Sequence, residues 1–256
     1  MTISKQEIKF VNSLKIKKYR YRHKKFVCEG KKNFEALLKS GYQIDNVYLT
    51  KSAYENFGNK INDLPYKIVS EEVFSKISSL KNPQGVLAIV NMPQQEFDIS
   101  VIVKELTIFL DKIQDPGNMG TILRLAYWFG VKTVLCSVDT VDIYNPKTIQ
   151  ASMGAIFQTQ VFYVNAKEVL SELKTQIPIY GTFADGENIY RGKFNIPAVV
   201  VFGNEGNGIS PELYQFFDKK ISVPSLSQGD LTDSLNVGVA AGIILSKLLE
   251  SKLKFL

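Results

Sequence analysis

Three clusters of glycine and amide residues carry the chemistry this sequence could perform. The first, Gly203-Asn204-Glu205-Gly206-Asn207-Gly208, directly follows the apolar run Val199-Val200-Val201-Phe202. A β-branched and aromatic run of that kind suits a strand buried on both faces, and its abrupt end at Gly203 marks a place where main chain can approach a ligand closely. Ser210-Pro211-Glu212 beyond it reads as an N-cap with a first-turn proline and acid. The glycine loop therefore sits between strand and helix, where open α/β sheets bind ligands. Its order is G-x-x-G-x-G, not the G-x-G-x-x-G of a dinucleotide fold, and the residue about twenty positions on is Val223, not an acid. The second cluster, Ser234-Leu235-Asn236-Val237-Gly238, follows the apolar run Ile221-Ser222-Val223-Pro224 and a long polar loop, and opens an apolar helix expected over Ser234–Leu249. Glycine inside a helix costs ~1 kcal/mol against alanine, so Gly238 and Gly242, with Ala241, predict another backbone packed against that face, from this chain or from a twin subunit. A tightly packed core helix would use the same residues. Together the stretch from Val199 to Leu245 reads as a cofactor pocket.

The third cluster lies upstream, in Asp111-Lys112-Ile113-Gln114-Asp115-Pro116-Gly117-Asn118-Met119-Gly120-Thr121-Ile122-Leu123-Arg124. Asn118 falls near a helix start after the strand Leu106–Leu110, and Arg124 about two turns on. N-x-G-x-x-x-R after one strand, G-N-E-G-x-G after a later one and S-L-N-V at the head of the last helix occur in that order. This arrangement resembles the three motifs of the SpoU (TrmH-like) RNA ribose methyltransferases of the SPOUT superfamily. Tyr144-Asn145-Pro146-Lys147, Ala151-Ser152-Met153-Gly154-Ala155 and Phe26-Val27-Cys28-Glu29-Gly30 are also similar to that family, so the resemblance covers essentially the whole chain.

The resemblance implies transfer of the S-adenosylmethionine methyl group to a ribose 2′-hydroxyl, with ribosomal RNA expected ahead of transfer RNA. A non-catalytic RNA-binding ribosome-assembly factor is the competing reading. By match to the family, Gly203, Val223 and Leu235 fall on cofactor contacts, and Thr182 borders the adenosine. The same match gives a catalytic set of Asn118, Arg124, Glu205, Ser234 and Asn236, with no metal. An arginine base conflicts with a guanidinium pKa above ~12. Arg124 is therefore read as a substrate phosphate or ribose ligand that assists proton removal, Asn118 and Asn236 as orienting the nucleophile, and Glu205 and Ser234 as setting up the loop. The family also implies a homodimer and a trefoil knot in the carboxy-terminal domain, neither of which the periodicity reveals. Two departures stand out: residues 225–233 form a longer connection than usual, and Gly238 stands where the family often has serine.

These motifs need elements to position them. The chain has 256 residues, 45% hydrophobic and 22% charged, an ordinary soluble composition with a sizeable core. No apolar stretch approaches the ~18 residues that span a bilayer, and the start lacks a signal-peptide core, so a cytoplasmic protein is expected. Cys28 and Cys136 sit in apolar strand-like runs without metal-ligand spacing and read as reduced, buried thiols. The net charge of +6 is uneven: residues 1–32 hold eleven Lys or Arg against Glu7 and Glu29, or +9, leaving −3 elsewhere. Bases alternate with aromatics from Leu14 to Phe26, the pattern of a segment that holds phosphates, which nominates Lys17, Lys18, Arg20, Arg22, Lys24 and Lys25 for RNA binding. His23 lies there without an acid or serine partner in sequence and is given no catalytic role. Strands are expected at Lys25–Glu29, Asn46–Leu49, Tyr66–Val69 and Gly85–Val90, giving a small α/β domain over residues 1–92, which in the family is ribosomal-protein-like and binds RNA. Residues 93–105 read as a linker. Residues 106–256 then form a second α/β domain, with strands near Leu106–Leu110, Lys132–Cys136, Gln160–Tyr163, Ile177–Thr182, Ala198–Phe202 and Lys220–Val223 in a mostly parallel sheet.

Overall fold

A computed structural model describes residues 3–94, 96–227 and 234–254. The chain forms two compact units, Met1–Gln95 with Asp142–Gln158, and Glu96–Val141 with Thr159–Leu256. The first unit thus takes in a stretch from beyond residues 93–105, the segment read from sequence as a linker.

In the first unit, α1 (Lys5–Ser13) is closed by a capping box between Ser4 and Glu7, and α2 (Lys17–His23) ends at Lys24 in a left-handed conformation, φ 52°. Then come β1 (Lys25–Glu29), α3 (Lys31–Leu38), β2 (Ile44–Leu49), α4 (Lys51–Phe57), β3 (Tyr66–Ile68), α5 (Glu71–Ile77) and β4 (Val86–Asn91). The sheet order is β1-β4-β2-β3, with β4 antiparallel to both neighbours and β2 parallel to β3. Val27, Tyr48, Leu87 and Ile89 meet Val11, Leu14, Phe74 and Ile77 in one core. Residues 142–158 close the opposite side: Tyr144 stacks on Phe26 with ring centroids 4.4 Å apart, and a Cβ on Gly154 would come within 2.4 Å of the Ala36 Cβ. Gly154 lies at φ 93°, so its place against α3 needs a residue without a side chain.

The second unit contains α6 (Ile99–Ile102), β5 (Leu106–Leu110), α7 (Pro116–Trp128) and β6 (Thr133–Ser137). The chain passes through α8 (Pro146–Ser152) of the first unit and returns as β7 (Gln160–Val164), α9 (Ala166–Leu173), β8 (Ile179–Asn188), β9 (Ala198–Phe202), β10 (Lys219–Ser222), α10 (Val237–Leu248) and α11 (Glu250–Leu253). Its six strands run in the order β10-β8-β9-β5-β6-β7, and every pairing is parallel. The central strands β5, β6 and β9 are buried along their whole length, which is why they read as continuous apolar runs. Strand order reverses between β5 and β9, so a crevice opens beyond the carboxyl ends of those two strands.

Three boundaries differ from the sequence reading. The last helix starts at Val237, because the Asn236 side chain accepts from Gly238 N (3.0 Å) and Val239 N (3.3 Å) and caps it there. Pro211–Phe216 is a short 3-10 helix, and the Ser210 side chain does not cap it; instead Ser210 N donates to the buried Asp111 carboxylate at 2.8 Å. β8 continues past Thr182 to Asn188. The face of α10 bearing Gly238 and Gly242 lies against α7 of this chain: a Cβ on Gly238 would meet Thr121 Cγ2 at 3.0 Å, and one on Gly242 would meet Leu125 Cδ2 at 3.4 Å. Both cysteines are free and buried, and burial pushes both thiols above their ordinary range. Residues 228–233 of the longer connection lie outside the described residues. Among the described residues no helix is long and apolar enough to cross a membrane, and no cluster of His, Cys, Asp or Glu could hold a metal ion.

Candidate functional site

The loops at the ends of β5 and β9 are sewn together. Asp111 N donates to Phe202 O (2.8 Å), and Asn204 Nδ2 donates to Lys112 O (2.9 Å). Within the glycine loop, Asn204 and Gly208 exchange two main-chain hydrogen bonds of 2.9 Å, while Asn204 Oδ1 accepts from Gly206 N (2.9 Å) and Asn207 N (3.0 Å). This folds the loop back so tightly that a Cβ on Gly203 would stand 2.3 Å from the Gly208 carbonyl carbon and from Ile209 N. Gly208 itself lies at φ 66°. The spacing of the glycines is thus the spacing of a closed turn, not of a phosphate cradle.

A cleft of about 430 Å³ opens beside this turn. Thr182, Gly203, Val223 and Leu235, the four residues nominated for cofactor contact, all line it, and so do Glu205 and Ser234 of the nominated catalytic set. The remaining lining is chiefly apolar, from Phe183, Ile209, Tyr214, Val237, Ala240 and Ile244. Among the described residues lining it, Glu205 is the one that carries a charge.

Two helix starts converge on Glu205. Asp115 caps α7 by accepting from Asn118 N at 2.7 Å, which points the Asn118 side chain away from the helix axis. Asn118 Nδ2 donates to Glu205 Oε1 at 2.7 Å, and Asn118 Oδ1 accepts from Asn236 Nδ2 at 2.9 Å. The line Asn236, Asn118, Glu205 therefore leaves each amide with a defined direction: Asn236 caps α10 with its oxygen and donates to Asn118 with its nitrogen, and Asn118 accepts that bond with its oxygen and donates to Glu205 with its nitrogen. Such a relay orients polar atoms through two amides, which do not ionise. Arg124 is not in the cleft. It stands six residues beyond Asn118, about 9 Å along the helix and about 240° around it, and is exposed.

The nominated RNA-binding residues divide. Lys17, Lys18, Arg22 and Lys24 are exposed on and just after α2, Lys17 lying 5.8 Å from the centroid of the exposed Tyr21 ring. Lys25 pairs with Asp45 at 2.7 Å. Arg20 does not fit the expectation. It is buried, its Nε and Nη2 donate to Asp142 Oδ2 (3.0 and 2.5 Å), and Nη1 donates to the carbonyls of Leu14 and Lys15 (3.1 and 2.8 Å). With four of its five N–H donors engaged inside the fold and the side chain buried, it is not placed to meet a phosphate. Asp142 also accepts from Tyr21 Oη, and burial with this negative neighbour raises the Tyr21 hydroxyl to about 12.

Sequence reasoning missed the aromatic wall of the cleft. Phe183 and Tyr214 pack edge to face at 5.1 Å, Phe217 joins them, and Lys220 lies 4.8 Å from both of the first two ring centroids. The one local signal was Gly181 beside Thr182 and Phe183: a Cβ there would come within 2.5 Å of the Phe217 ring.

Comparison with known proteins accords with this geometry. The SpoU rRNA Methylase family matches residues 105–246, and the MRM3-like substrate binding domain matches residues 5–88. The chain is 29% identical over 248 residues to the 23S rRNA (guanosine(2553)-2'-O)-methyltransferase RlmP of Bacillus subtilis, covering 95% of this chain and 96% of that protein. A structure from Porphyromonas gingivalis assigned to the TrmH family of RNA methyltransferases superposes with a TM-score of 0.85 at 33% identity, covering 97% of this chain and 98% of that one. The structure of an AdoMet-bound rRNA methyltransferase from Sinorhizobium meliloti gives a TM-score of 0.84 at 25% identity, over 98% of this chain and 97% of that one. A family match over more than half of the sequence, and a solved relative of the same length at one third identity, establish that the chain belongs to the SpoU rRNA methylase family.

Proposed function

We propose that this protein transfers the methyl group of S-adenosylmethionine to a ribose 2′-hydroxyl of ribosomal RNA. The observation that carries the reading is the cleft itself, with Glu205 in its lining and held by the hydrogen-bond relay from Asn236 through Asn118. A volume of about 430 Å³ lies within the range of small-molecule sites. Its apolar wall suits an adenine ring, and the Glu205 carboxylate in the lining suits a ligand bearing sulfonium and ammonium charges. Bound there, the cofactor would supply an already activated methyl group. The chain supplies the rest: main chain at Gly203, Val223 and Leu235 with Thr182 to hold the cofactor, and Ser234, Glu205, Asn118 and Asn236 to fix the acceptor hydroxyl in line. Arg124, exposed outside the cleft of its own chain, is the ligand of the substrate's ribose or phosphate; its guanidinium stays protonated, so it stabilises the developing oxyanion by charge while the hydroxyl proton passes to solvent water.

The same reading covers the remaining features. The first unit, ribosomal-protein-like, binds RNA through Lys17, Lys18, Arg22, Lys24 and Lys25, and residues 93–105 link it to the methyltransferase domain. That domain carries the family's trefoil knot, a proposal supported by the chain's leaving edge strand β10 and returning to pack α10 on α7. The active form is a homodimer, supported by the exposed apolar residues Tyr127, Trp128 and Val239 on the paired helices α7 and α10. The enzyme works in the cytoplasm, where ribosomal RNA is met.

Labelled S-adenosylmethionine with unmodified ribosomal and transfer RNA, followed by alkaline digestion, tests the reaction. Label is expected in an alkali-resistant dinucleotide from ribosomal RNA. Label in transfer RNA alone would move the substrate class. Failure on both, and on assembled ribosomal particles, with RNA binding intact would favour an assembly factor. Gly203→Ala is expected to weaken binding of S-adenosylhomocysteine by about tenfold or more, equivalent to about 1.4 kcal/mol, because the added methyl must displace the Gly208 main chain. Calorimetry measures it, with unchanged RNA binding as the control for folding.

A further inference from the structure

We propose that Lys220 is a positioning residue of the cofactor cleft, fixing the segment that carries Thr182 and Phe183 by holding its ammonium group over Phe183 and Tyr214. The inference rests on the cofactor reading of the cleft given above. β8 and β10 are paired at Gly181 with Lys220, and pairing resumes at Glu187 with Ile221, so residues 182–186 of β8 leave the ladder as a bulge. Bulges next to a site re-aim side chains, and this one delivers Thr182, Phe183 and Ala184 to the cleft. An excursion of that length needs tethers. Its return is fixed against β10: the Ser222 hydroxyl donates to Gly186 O at 2.8 Å, Ile189 N donates to Ser222 O at 2.9 Å, and a Cβ on Gly186 would fall within 2.5 Å of the Ile221 carbonyl carbon. Among the described residues, its crown is held by a ring cluster. Phe183 meets Tyr214 of the 3-10 helix at 5.1 Å and Phe217 at 5.9 Å, and Lys220, at the base of the bulge, places its charge 4.8 Å from both the Phe183 and Tyr214 centroids. Adjacent Lys219 takes the carboxylate of Glu187 at 3.1 Å, leaving the rings to Lys220.

A cation shared by two rings ties together three separate pieces of chain, the β8 bulge, the 3-10 helix and β10, at one wall of the cleft. Removing the charge frees the crown while leaving the return against β10 intact. Lys220 is exposed, so its replacement leaves the core untouched.

The test compares wild type, Lys220→Met and Lys220→Arg by calorimetry with S-adenosylhomocysteine and with 5′-methylthioadenosine, alongside the thermal midpoint and KM for RNA. Lys220→Met is expected to weaken both ligands by about five- to tenfold, raise KM for the methyl donor while kcat and KM for RNA hold, and leave the thermal midpoint unchanged. Lys220→Arg, which keeps the cation over the rings, is expected to restore both affinities. Equal affinities in wild type and Lys220→Met would overturn the inference. So would a loss confined to S-adenosylhomocysteine, since Lys220 would then hold the amino-acid end directly, or a change confined to KM for RNA. Wild type that binds neither ligand would overturn the cofactor reading instead.

Discussion

Arg20→Met is expected to destabilise the amino-terminal unit by about 3–5 kcal/mol, the cost of leaving one member of a buried ion pair without its partner. The pair is almost fully enclosed, with side-chain exposures of 2% for Arg20 and 3% for Asp142. Asp142 would keep Tyr144 N at 3.0 Å and Tyr21 Oη at 3.3 Å, two neutral donors in place of a guanidinium. The Leu14 and Lys15 carbonyls would lose their donor as well. Urea unfolding followed by tryptophan-independent far-UV signal measures the effect, and the double variant Arg20→Met with Asp142→Leu is expected to recover part of it, because two apolar groups need no countercharge. A loss below about 1 kcal/mol in the single variant would mean that water reaches the pair and that it behaves as a surface salt bridge. The consequence for function is local. α2 presents Lys17, Lys18 and Arg22 from a helix only seven residues long, too short to persist by its own propensity, so the buried arginine is what holds that basic face in shape.

That arginine also marks where sequence reasoning stops. Alternating bases and aromatics locate a cationic segment, but they do not say which cation finds an acid 122 residues away. The strands were legible because a parallel sheet covered on both faces demands unbroken apolar runs, and Val199–Phe202 and Leu106–Leu110 supply them. The glycine loop was legible because Gly203 has no room for a Cβ and Gly208 takes a left-handed φ of 66° that glycine adopts most readily. Asn118, Glu205 and Asn236 could each be nominated by motif, yet their joining into one relay depends on contacts spanning 87 and 118 residues, which no local pattern encodes. The helix start at Val237 was misjudged for a related reason: Ser234 and Leu235 directly precede an apolar run, while Asn236 caps with its oxygen and bonds Asn118, 118 residues away, with its nitrogen. The wall of Phe183, Tyr214, Phe217 and Lys220 left still less trace, since it is assembled from three elements, none of which is unusual alone.

The relay makes the second large prediction. Asn118→Ala is expected to lower kcat by about 10²-fold or more with little change in cofactor affinity, since a loss of positioning of about 1 Å at a reacting group has that effect. Asn118 is the centre of the relay: without it Glu205 loses its 2.7 Å donor and Asn236 its acceptor, while the cleft lining is untouched. Asn118→Asp is the sharper test because it is nearly isosteric. The introduced carboxylate still accepts from Asn236 but faces Glu205 at the distance of a hydrogen bond, and two carboxylates so placed cannot both remain ionised without cost. One of them takes up a proton more readily than an isolated acid, and the protonated form restores an O–H donor between the two residues. The rate of Asn118→Asp relative to wild type is therefore expected to rise as pH falls from about 8 toward about 5, where protonation of the pair begins. A ratio that stays flat across that range, measured at saturating methyl donor, would mean that Glu205 does not depend on Asn118 for its role, and the reaction would then have to be assigned to Ser234 and Arg124 without the relay.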